Sequence, residues 1–205
     1  MINYKTFIAG IVLLLSCNND KTTTQKDTTV NAIQNPIDTS SIPAFEKTLS
    51  LQGINYKIIA SGEGSIQQLS IIPSGLTGIN DSINVEVDPV INAEIEDLDA
   101  DGFPELLIYT QSTGSGSYGS VLGYSPNKGK SLSPIYFPDI NEDKKLSAGY
   151  RGHDEFSVVE NSLVRRFKLY DEKDTNASPT GKYRQIEYKL VNGEASKKFV
   201  VKRYQ

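Results

Sequence analysis

A predicted β-hairpin lies near the middle of the chain, over residues 105–124, and reads ELLIYTQSTGSGSYGSVLGY. Its two arms are the apolar runs ELLIYT and VLGY. The tip between them contains Gly114, Gly116 and Gly119, which are separated by serines, and only one large side chain, Tyr118. Because glycine permits backbone angles that other residues resist, such a loop can be narrow and sharply bent.

The tip of this hairpin has two interpretations. In the first, Tyr118 is an anchor for insertion into a partner, since an aromatic ring supplies a large contact area with few torsions to freeze. In the second, the tip is a flexible Gly/Ser turn without a partner. The residues of the loop alone leave both open.

The apolar residues on either side alternate with polar ones, which predicts β-strands. The predicted strands cover residues 55–60, 67–72, 83–87, 90–95, 156–159, 163–170, 183–191 and 198–204. Asn192-Gly193 predicts a tight hairpin between the last two, because both central positions of such a turn need positive φ. Only residues 140–150 resemble a helix. We therefore expect an all-β, antiparallel β-sandwich or barrel-like domain over residues 44–205, with one short helix.

The N-terminal segment predicts export. Residues 7–15 are apolar but too few to span a bilayer, which is typical of a signal peptide over residues 1–16. The tetrapeptide LLSC resembles the lipobox of bacterial lipoproteins, in which the cysteine, here Cys17, becomes the lipidated first residue. The alternative is a simple secretory signal with an incidental cysteine. Residues 17–43 are polar and predict a flexible linker.

Composition narrows the class of partner. The chain has 205 residues and a formal net charge of -4, which argues against nucleic-acid binding because phosphate contacts need a basic surface. With one cysteine, no internal disulfide can form, so the domain depends on its packed core.

A second conspicuous stretch, DLDADGFPE, directly precedes the hairpin. The carboxylates of Asp97, Asp99, Asp101 and Glu105 can converge on one calcium ion, because the chain turns sharply at the glycine between them. The stretch resembles the start of an EF-hand loop but lacks its last glutamate, and it is closer to the shorter calcium loops of β-propeller blades. The alternative is an acidic turn whose aspartates cap their own backbone.

Catalytic patterns are weak, and we expect the chain not to be an enzyme. His153 is the only histidine, and Ser115 or Ser117 would need it as a base. Neither serine lies in a Gly-x-Ser-x-Gly turn between a strand and a helix. A hydrolase that uses His153 or two carboxylates is a third hypothesis, since the distance between two carboxylates cannot be inferred from the sequence.

Four motifs in order resemble the periplasmic inhibitors of invertebrate-type (I-type) lysozyme: DLDADGFPE, TGSGSYGS, YSPNK and KSL. The resemblance covers residues 96–137. It implies a β-sandwich whose protruding Ser-Gly-x-Tyr loop plugs the active-site cleft of the lysozyme. The corresponding loop here comprises Gly114, Ser115, Gly116, Ser117, Tyr118 and Gly119, with Ser115 and Tyr118 as the inserted pair.

Inhibitors of chicken-type lysozyme use a similar loop and a second Tyr-x-x-x-Lys element, which Tyr124 and Lys128 match. The resemblance thus implies a lipid-anchored protein of the bacterial cell envelope, in the outer membrane with a periplasmic or surface face. We expect it to inhibit lysozyme, I-type first, and so to protect peptidoglycan without a cofactor. The alternative is a calcium-binding cell-surface module that uses residues 97–105.

Overall fold

The computed structural model describes residues 43–205, so the predicted signal peptide, the lipidation at Cys17 and the linker up to residue 42 lie outside the described residues. The described part contains three four-stranded antiparallel sheets. The first sheet is β1 (Phe45–Leu51), β2 (Ile54–Ser61), β3 (Gln67–Ser74) and β4 (Ile83–Val87), in that order. The second is β5 (Val90–Glu96), β6 (Glu105–Gln111), β7 (Gly119–Pro126) and β8 (Leu132–Ile135). The third has the order β12 (Lys197–Tyr204), β11 (Tyr183–Asn192), β10 (Ser162–Lys168) and β9 (Glu155–Val159).

The predicted all-β, sandwich-like class is confirmed, and helix is scarce. In place of the helix expected over residues 140–150, the structure has a short 3-10 helix, Ile140–Glu142, and a short α-helix, α1 (Lys144–Ser147). Asp143 separates them, because it has extended φ and ψ and its side chain caps the first amides of α1. Within residues 43–205, no helix is long and apolar enough to cross a membrane.

One predicted turn is wrong in its details. The hairpin between β11 and β12 exists, but Asn192 still pairs with Lys197, so the loop has four residues rather than two. Neither Asn192 nor Gly193 has positive φ, and the Gly193 amide donates to the Ser196 carbonyl at 2.9 Å. The tight turn occurs instead at Gln52 and Gly53, between β1 and β2, where both φ values are positive.

Strand β6 is buried on both faces and belongs to two hydrophobic cores. Leu106 and Ile108 pack against the first sheet, in a core that includes Tyr56 and Ile71. The alternate residue Leu107 faces the other way, into a core that it shares with the third sheet. The second sheet therefore lies between the other two.

This burial fixes β6 in place, so the turns at its two ends start from a rigid strand. Within residues 43–205, all the strands and both cores lie between Phe45 and Tyr204. A fragment from residue 18 to residue 205 consequently contains the whole described fold, and the experiments below use it.

Candidate functional site

The Gly/Ser loop, residues 112–118, connects β6 to β7 at one end of the central sheet. Strand pairing ends at Gln111 and Gly119, which lie opposite each other. Beyond them, the Ser112 amide donates to the Tyr118 carbonyl, and the Tyr118 amide donates to the Ser112 hydroxyl, each at 2.9 Å. These two bonds close the neck of the loop.

A turn at the tip of the loop exposes Ser115 to solvent. The Ser117 amide donates to the Gly114 carbonyl at 2.9 Å, and Ser117 has a φ of +42°. The Ser115 hydroxyl accepts a bond from the side-chain amide of Asn176 at 3.4 Å. Since a hydroxyl both accepts and donates, its proton is available for a partner.

The Tyr118 ring packs over two glycines and remains 50% exposed. A Cβ added to Gly116 would lie 2.4 Å from the ring, and one added to Gly152 would lie 3.3 Å from it. The ring also meets Tyr150 edge to face, with centroids 5.7 Å apart. The glycine between the serine and the tyrosine therefore makes room for the aromatic ring, which holds Tyr118 in one place.

A second segment, residues 152–154, supports the loop backbone. The His153 amide donates to the carbonyls of Gly116 and Ser117, at 2.8 and 3.1 Å. Gly152 has a φ of +92°, and a Cβ there would lie 1.9 Å from the Gly116 carbonyl oxygen. No residue but glycine fits this position without displacing the loop.

Below the loop, a buried carboxylate holds the start of β7. Asp154 accepts a bond from the Gly119 amide at 2.8 Å and one from the Tyr150 hydroxyl at 2.6 Å. Its other oxygen accepts from the Arg165 Nε at 2.7 Å. The Asp154 and Arg165 side chains are 0% and 4% exposed, so the charged pair is fully desolvated but well satisfied by hydrogen bonds.

Aromatic rings surround the Arg165 guanidinium. It lies within 6.0 Å of the ring centroids of four aromatic residues: Phe137, Tyr150, Phe156 and Phe167. Burial opposes its charge, but Asp154 outweighs burial and raises the pKa of Arg165. Burial, followed by the nearby charge of Asp154, also raises the pKa of Tyr150. Arg165 and Tyr150 therefore keep their protons at neutral pH, and the network under the loop keeps its bonds.

Beside Tyr118 lies a cleft of about 350 Å³. Its lining includes Tyr118 and Ser120, together with Pro138, Asp139 and Asn141. The exposed side of the loop is thus flanked by an aromatic ring and polar groups rather than by flat surface.

The structure does not place the second predicted contact near the loop. Tyr124 is buried in the first core, and Lys128 is exposed beyond the opposite end of β7. A Tyr124 side chain in the core cannot contact a partner without unfolding the sheet.

His153 has a structural role in the support of the loop. Its backbone amide supports the loop, its φ is +57°, and its imidazole stacks on the Tyr170 ring with centroids 6.3 Å apart. The predicted site residue Ser115 bonds to Asn176 instead of to this imidazole.

The acidic turn lies at the other end of β6 and caps its own backbone. Asp97 accepts bonds from the Asp101 and Gly102 amides at 3.0 Å, and Asp101 accepts from the Phe103 amide at 2.9 Å. Glu105 is fully buried and accepts from the Leu98 amide and the Ser125 hydroxyl. The capping interpretation thus describes Asp97 and Asp101.

A lysine from the third sheet supplies a positive charge to this turn. Lys197 Nζ lies 2.7, 2.8 and 3.0 Å from carboxylate oxygens of Asp99, Asp101 and Glu105. Burial opposes its charge, but these bonds outweigh burial and raise the pKa of Lys197. Burial also raises the pKa of Glu105, although Lys197 and Ser125 donate to it. Oxygens of Asp97, Asp99 and Glu105 still lie within 4.8 Å of one another, which is close enough to share a metal ion.

The residues that sequence reasoning missed are the distant supports: Tyr150, Gly152, Asp154, Arg165 and Lys197. One signal was present for Arg165. It alternates with Leu163 and Phe167, so it points into the core, where an arginine needs a carboxylate partner. Nothing comparable marks Lys197, which is followed in the sequence by the exposed Lys198.

Comparisons with known proteins add no relative to this picture: no family model, no curated protein and no solved structure matches the chain. The fold and site define an all-β domain with a supported, partly exposed Gly/Ser loop.

Proposed function

We propose that this protein is a non-enzymatic inhibitor of lysozyme, I-type first, anchored by lipid in the bacterial cell envelope, where it protects peptidoglycan. The observation that carries the proposal is the loop itself. Ser115 and Tyr118 are exposed, whereas the backbone that carries them is bonded to Ser112, His153 and Asp154.

Ser115 supplies the polar contact in this proposal. Lysozymes hold two carboxylates across a sugar-binding cleft. A serine hydroxyl at the tip of a loop can donate to one of them, and a hydrogen bond to a charged acceptor is stronger than a neutral one. Its proton is available because its hydroxyl accepts, rather than donates, the bond to Asn176.

Tyr118 supplies the contact area. Its half-exposed ring can occupy a sugar subsite, and its hydroxyl can bond there. Neither residue offers a glycosidic bond, so the loop would block the cleft without being consumed.

Preorganisation supports this role. A loop that must be ordered on binding loses affinity, at a cost of about 0.5–1.5 kcal/mol for each side chain that is immobilised. Here the neck bonds and the ring packing of Tyr118 over Gly116 already restrict the loop.

The direct test adds the fragment 18–205 to I-type, chicken-type and goose-type lysozymes and follows cell-wall lysis. The test variant is Ser115→Ala with Tyr118→Ala. The matched control is Ser65→Ala with Tyr204→Ala, since Ser65 is exposed outside the loop and Tyr204 is 49% exposed on an edge strand.

We expect inhibition of one lysozyme class that the control keeps and the test variant loses by about 1,000-fold, as two central contacts of about 2 kcal/mol each would give. Equal inhibition by both variants would remove the loop from the mechanism. No inhibition of any class would overturn the proposal.

A calcium-binding surface module is the second candidate, and the convergence of Asp97, Asp99 and Glu105 favours it. Calcium takes about six to eight oxygen ligands, so roughly three to five more would have to come from neighbouring groups or water. Lys197 competes with this role, because its ammonium already faces two of the three carboxylates.

Thermal unfolding of the fragment with and without millimolar calcium separates the two roles of the turn. A calcium-binding module would gain stability that Asp99→Asn abolishes. If Lys197 is the resident cation, calcium leaves the melting temperature of the unmodified fragment unchanged.

A further inference from the structure

The third sheet has one face in the second core and one face open. Leu163 and Phe167 on β10 point into that core, as do Ile186 and Tyr188 on β11. Because successive side chains of a strand point to opposite faces, the alternate residues form the open face. The outward positions include Arg166 on β10 and Lys189 on β11, both exposed.

The open face is basic, although the whole chain is acidic. Its strands carry six outward cationic side chains and two outward carboxylates, Glu155 and Glu187. We call these six the basic face: Arg166, Lys168, Lys189, Lys198, Lys202 and Arg203. The excess of four positive charges contrasts with the formal net charge of -4 for the chain.

Most of this charge is not neutralised by neighbours. Glu187 pairs with Arg203 at 2.5 Å and with Lys202 at 3.9 Å. Within residues 43–205, no carboxylate oxygen lies within 4.0 Å of the charged nitrogens of the other four: Arg166, Lys168, Lys189 and Lys198. A cluster of unneutralised cations needs anions from outside the chain to lower its self-repulsion.

The face also carries an aromatic residue at one end. Tyr183 is 43% exposed, and its ring lies 3.9 Å from the Arg166 guanidinium carbon and 5.4 Å from Lys168 Nζ. Tyrosine is enriched at the headgroup level of membranes, since its ring is apolar and its hydroxyl is polar. Basic residues interleaved with tyrosine on a broad sheet suit a planar array of phosphates better than a single ligand.

We propose that the basic face docks onto the anionic phospholipid surface of a membrane. Each Lys or Arg near such a surface strengthens binding about fivefold, and the effect fades within a Debye length. The predicted lipid anchor at Cys17 would keep the domain near such a surface. The docking itself rests on the charges of the sheet and does not require lysozyme inhibition.

Docking by this face uses groups other than the pair at the loop tip. The tip lies near the Tyr183 end of the basic face, because Ser115 accepts a bond from Asn176, and Asn176 lines one pocket together with Lys168 and Tyr183. Ser115 and Tyr118 carry no charge and belong to the loop of the central sheet, so replacing them leaves the six cations unchanged.

The experiment uses co-sedimentation of the fragment 18–205 with vesicles, because the lipid anchor would otherwise bind by itself. One vesicle is pure phosphatidylcholine, and the other contains anionic phosphatidylglycerol at about one lipid in three, which gives it a negative surface potential. The test variant replaces Arg166, Lys168, Lys189 and Lys198 by Gln. The matched control replaces four exposed lysines elsewhere by Gln: Lys128, Lys130, Lys144 and Lys145.

We expect salt-sensitive binding to the phosphatidylglycerol vesicles only, weakened by about 100-fold or more in the test variant and by much less in the control. Equal binding to both vesicles, no binding, or equal loss in both variants would overturn the proposal. Tighter binding to a soluble polyanion such as polyglutamate would also overturn it. The variant Ser115→Ala with Tyr118→Ala should bind vesicles as the unmodified fragment does. The vesicle experiment can therefore succeed or fail independently of the inhibitor proposal.

Discussion

Strand β6 connects the acidic turn at one end of the central sheet to the Gly/Ser loop at the other end. The two turns are stabilised by different interactions. At the acidic end, the charged side chains turn inward onto Lys197, which is only 14% exposed. At the loop end, the buried pair of Asp154 and Arg165 holds the backbone, and the side chains of the tip face solvent.

Both ends thus depend on a cation from the third sheet. The loop end exposes the Ser115 hydroxyl and the Tyr118 ring, whereas most polar atoms of the acidic end are paired within the fold and one buried oxygen, Asp99 Oδ1, has no hydrogen-bond partner. A conspicuous motif is a candidate for binding when residues outside the motif hold its backbone, because its own side chains are then free to contact a partner. When the motif uses its own polar groups to complete the fold, as most of the acidic turn does, a structural role accounts for it.

The largest expected effect comes from the loop end. Arg165→Met leaves the Asp154 carboxylate buried without its charged partner, which should lower the free energy of unfolding by about 3–5 kcal/mol. Urea denaturation measures this. Arg203→Met is the control, because Arg203 is exposed and solvent screens its pair with Glu187, so the variant should lose little stability. A loss as small as that of the control would show that the pair does not hold the loop.

At the acidic end, we expect Lys197→Met to cost about 1–3 kcal/mol at pH 7, because charged acceptors lose their donor. The loss should shrink as pH falls towards 4.5. The pKa of Glu105 is already raised by burial, and it rises further without Lys197. A carboxyl with a raised folded pKa contributes stability at low pH that is lost as pH rises through that pKa.

Urea denaturation at several pH values checks this trend, with Lys57→Met as the control for an exposed pair. A deficit of constant size across this pH range would mean that the carboxylates do not repel one another once the lysine is gone.

Substitution of one glycine tests whether the position of the loop affects inhibition independently of the stability of the fold. Gly152→Ala should displace the Gly116 carbonyl and weaken lysozyme inhibition by at least about tenfold, because the pair Ser115 and Tyr118 would shift. Gly64→Ala is the control, since Gly64 has a similar φ of +96° but nothing within 4 Å of an added Cβ. Gly64→Ala should lose about 1–2 kcal/mol of stability from backbone strain alone, and Gly152→Ala should lose more, because the Gly116 carbonyl must also move. Equal inhibition by the two would disprove support through Gly152.

The smallest expected effect on stability belongs to the tip. Ser115→Ala with Tyr118→Ala should change the free energy of unfolding by only about 1 kcal/mol, because Ser115 is exposed and the half-exposed Tyr118 ring packs only on two glycines and the edge of Tyr150. Thermal and urea unfolding check it. A loss of several kcal/mol would make the loop a structural element rather than a contact surface.

Local sequence patterns predicted many of the strands and turns of this fold. They could not predict contacts between residues that lie far apart in the sequence. The apolar run of β6 and the hairpin turn at Glu160 and Asn161 follow from neighbouring residues. Strand β8 was missed because it is a four-residue edge strand with a proline, and β1 because Lys47 interrupts its alternation.

The site divides in the same way. The residue types of the loop predicted an exposed hairpin tip, and Ser115 and Tyr118 are exposed. Its supports could not be predicted, because Asp154 lies 35 residues from Gly119, and Lys197 lies 92 residues from Glu105. Only the packing of the third sheet against the second brings these charges together.

The most direct measurement of the central claim is competition for a lysozyme cleft. Calorimetry would titrate the fragment 18–205 into I-type lysozyme, first alone and then with the cleft saturated by a chitin oligosaccharide. If Ser115 and Tyr118 enter the cleft, the oligosaccharide weakens binding in proportion to its own occupancy, and the double alanine variant no longer binds. Binding that is unchanged by the oligosaccharide, or an alanine variant that binds as tightly as the unmodified fragment, would contradict the claim.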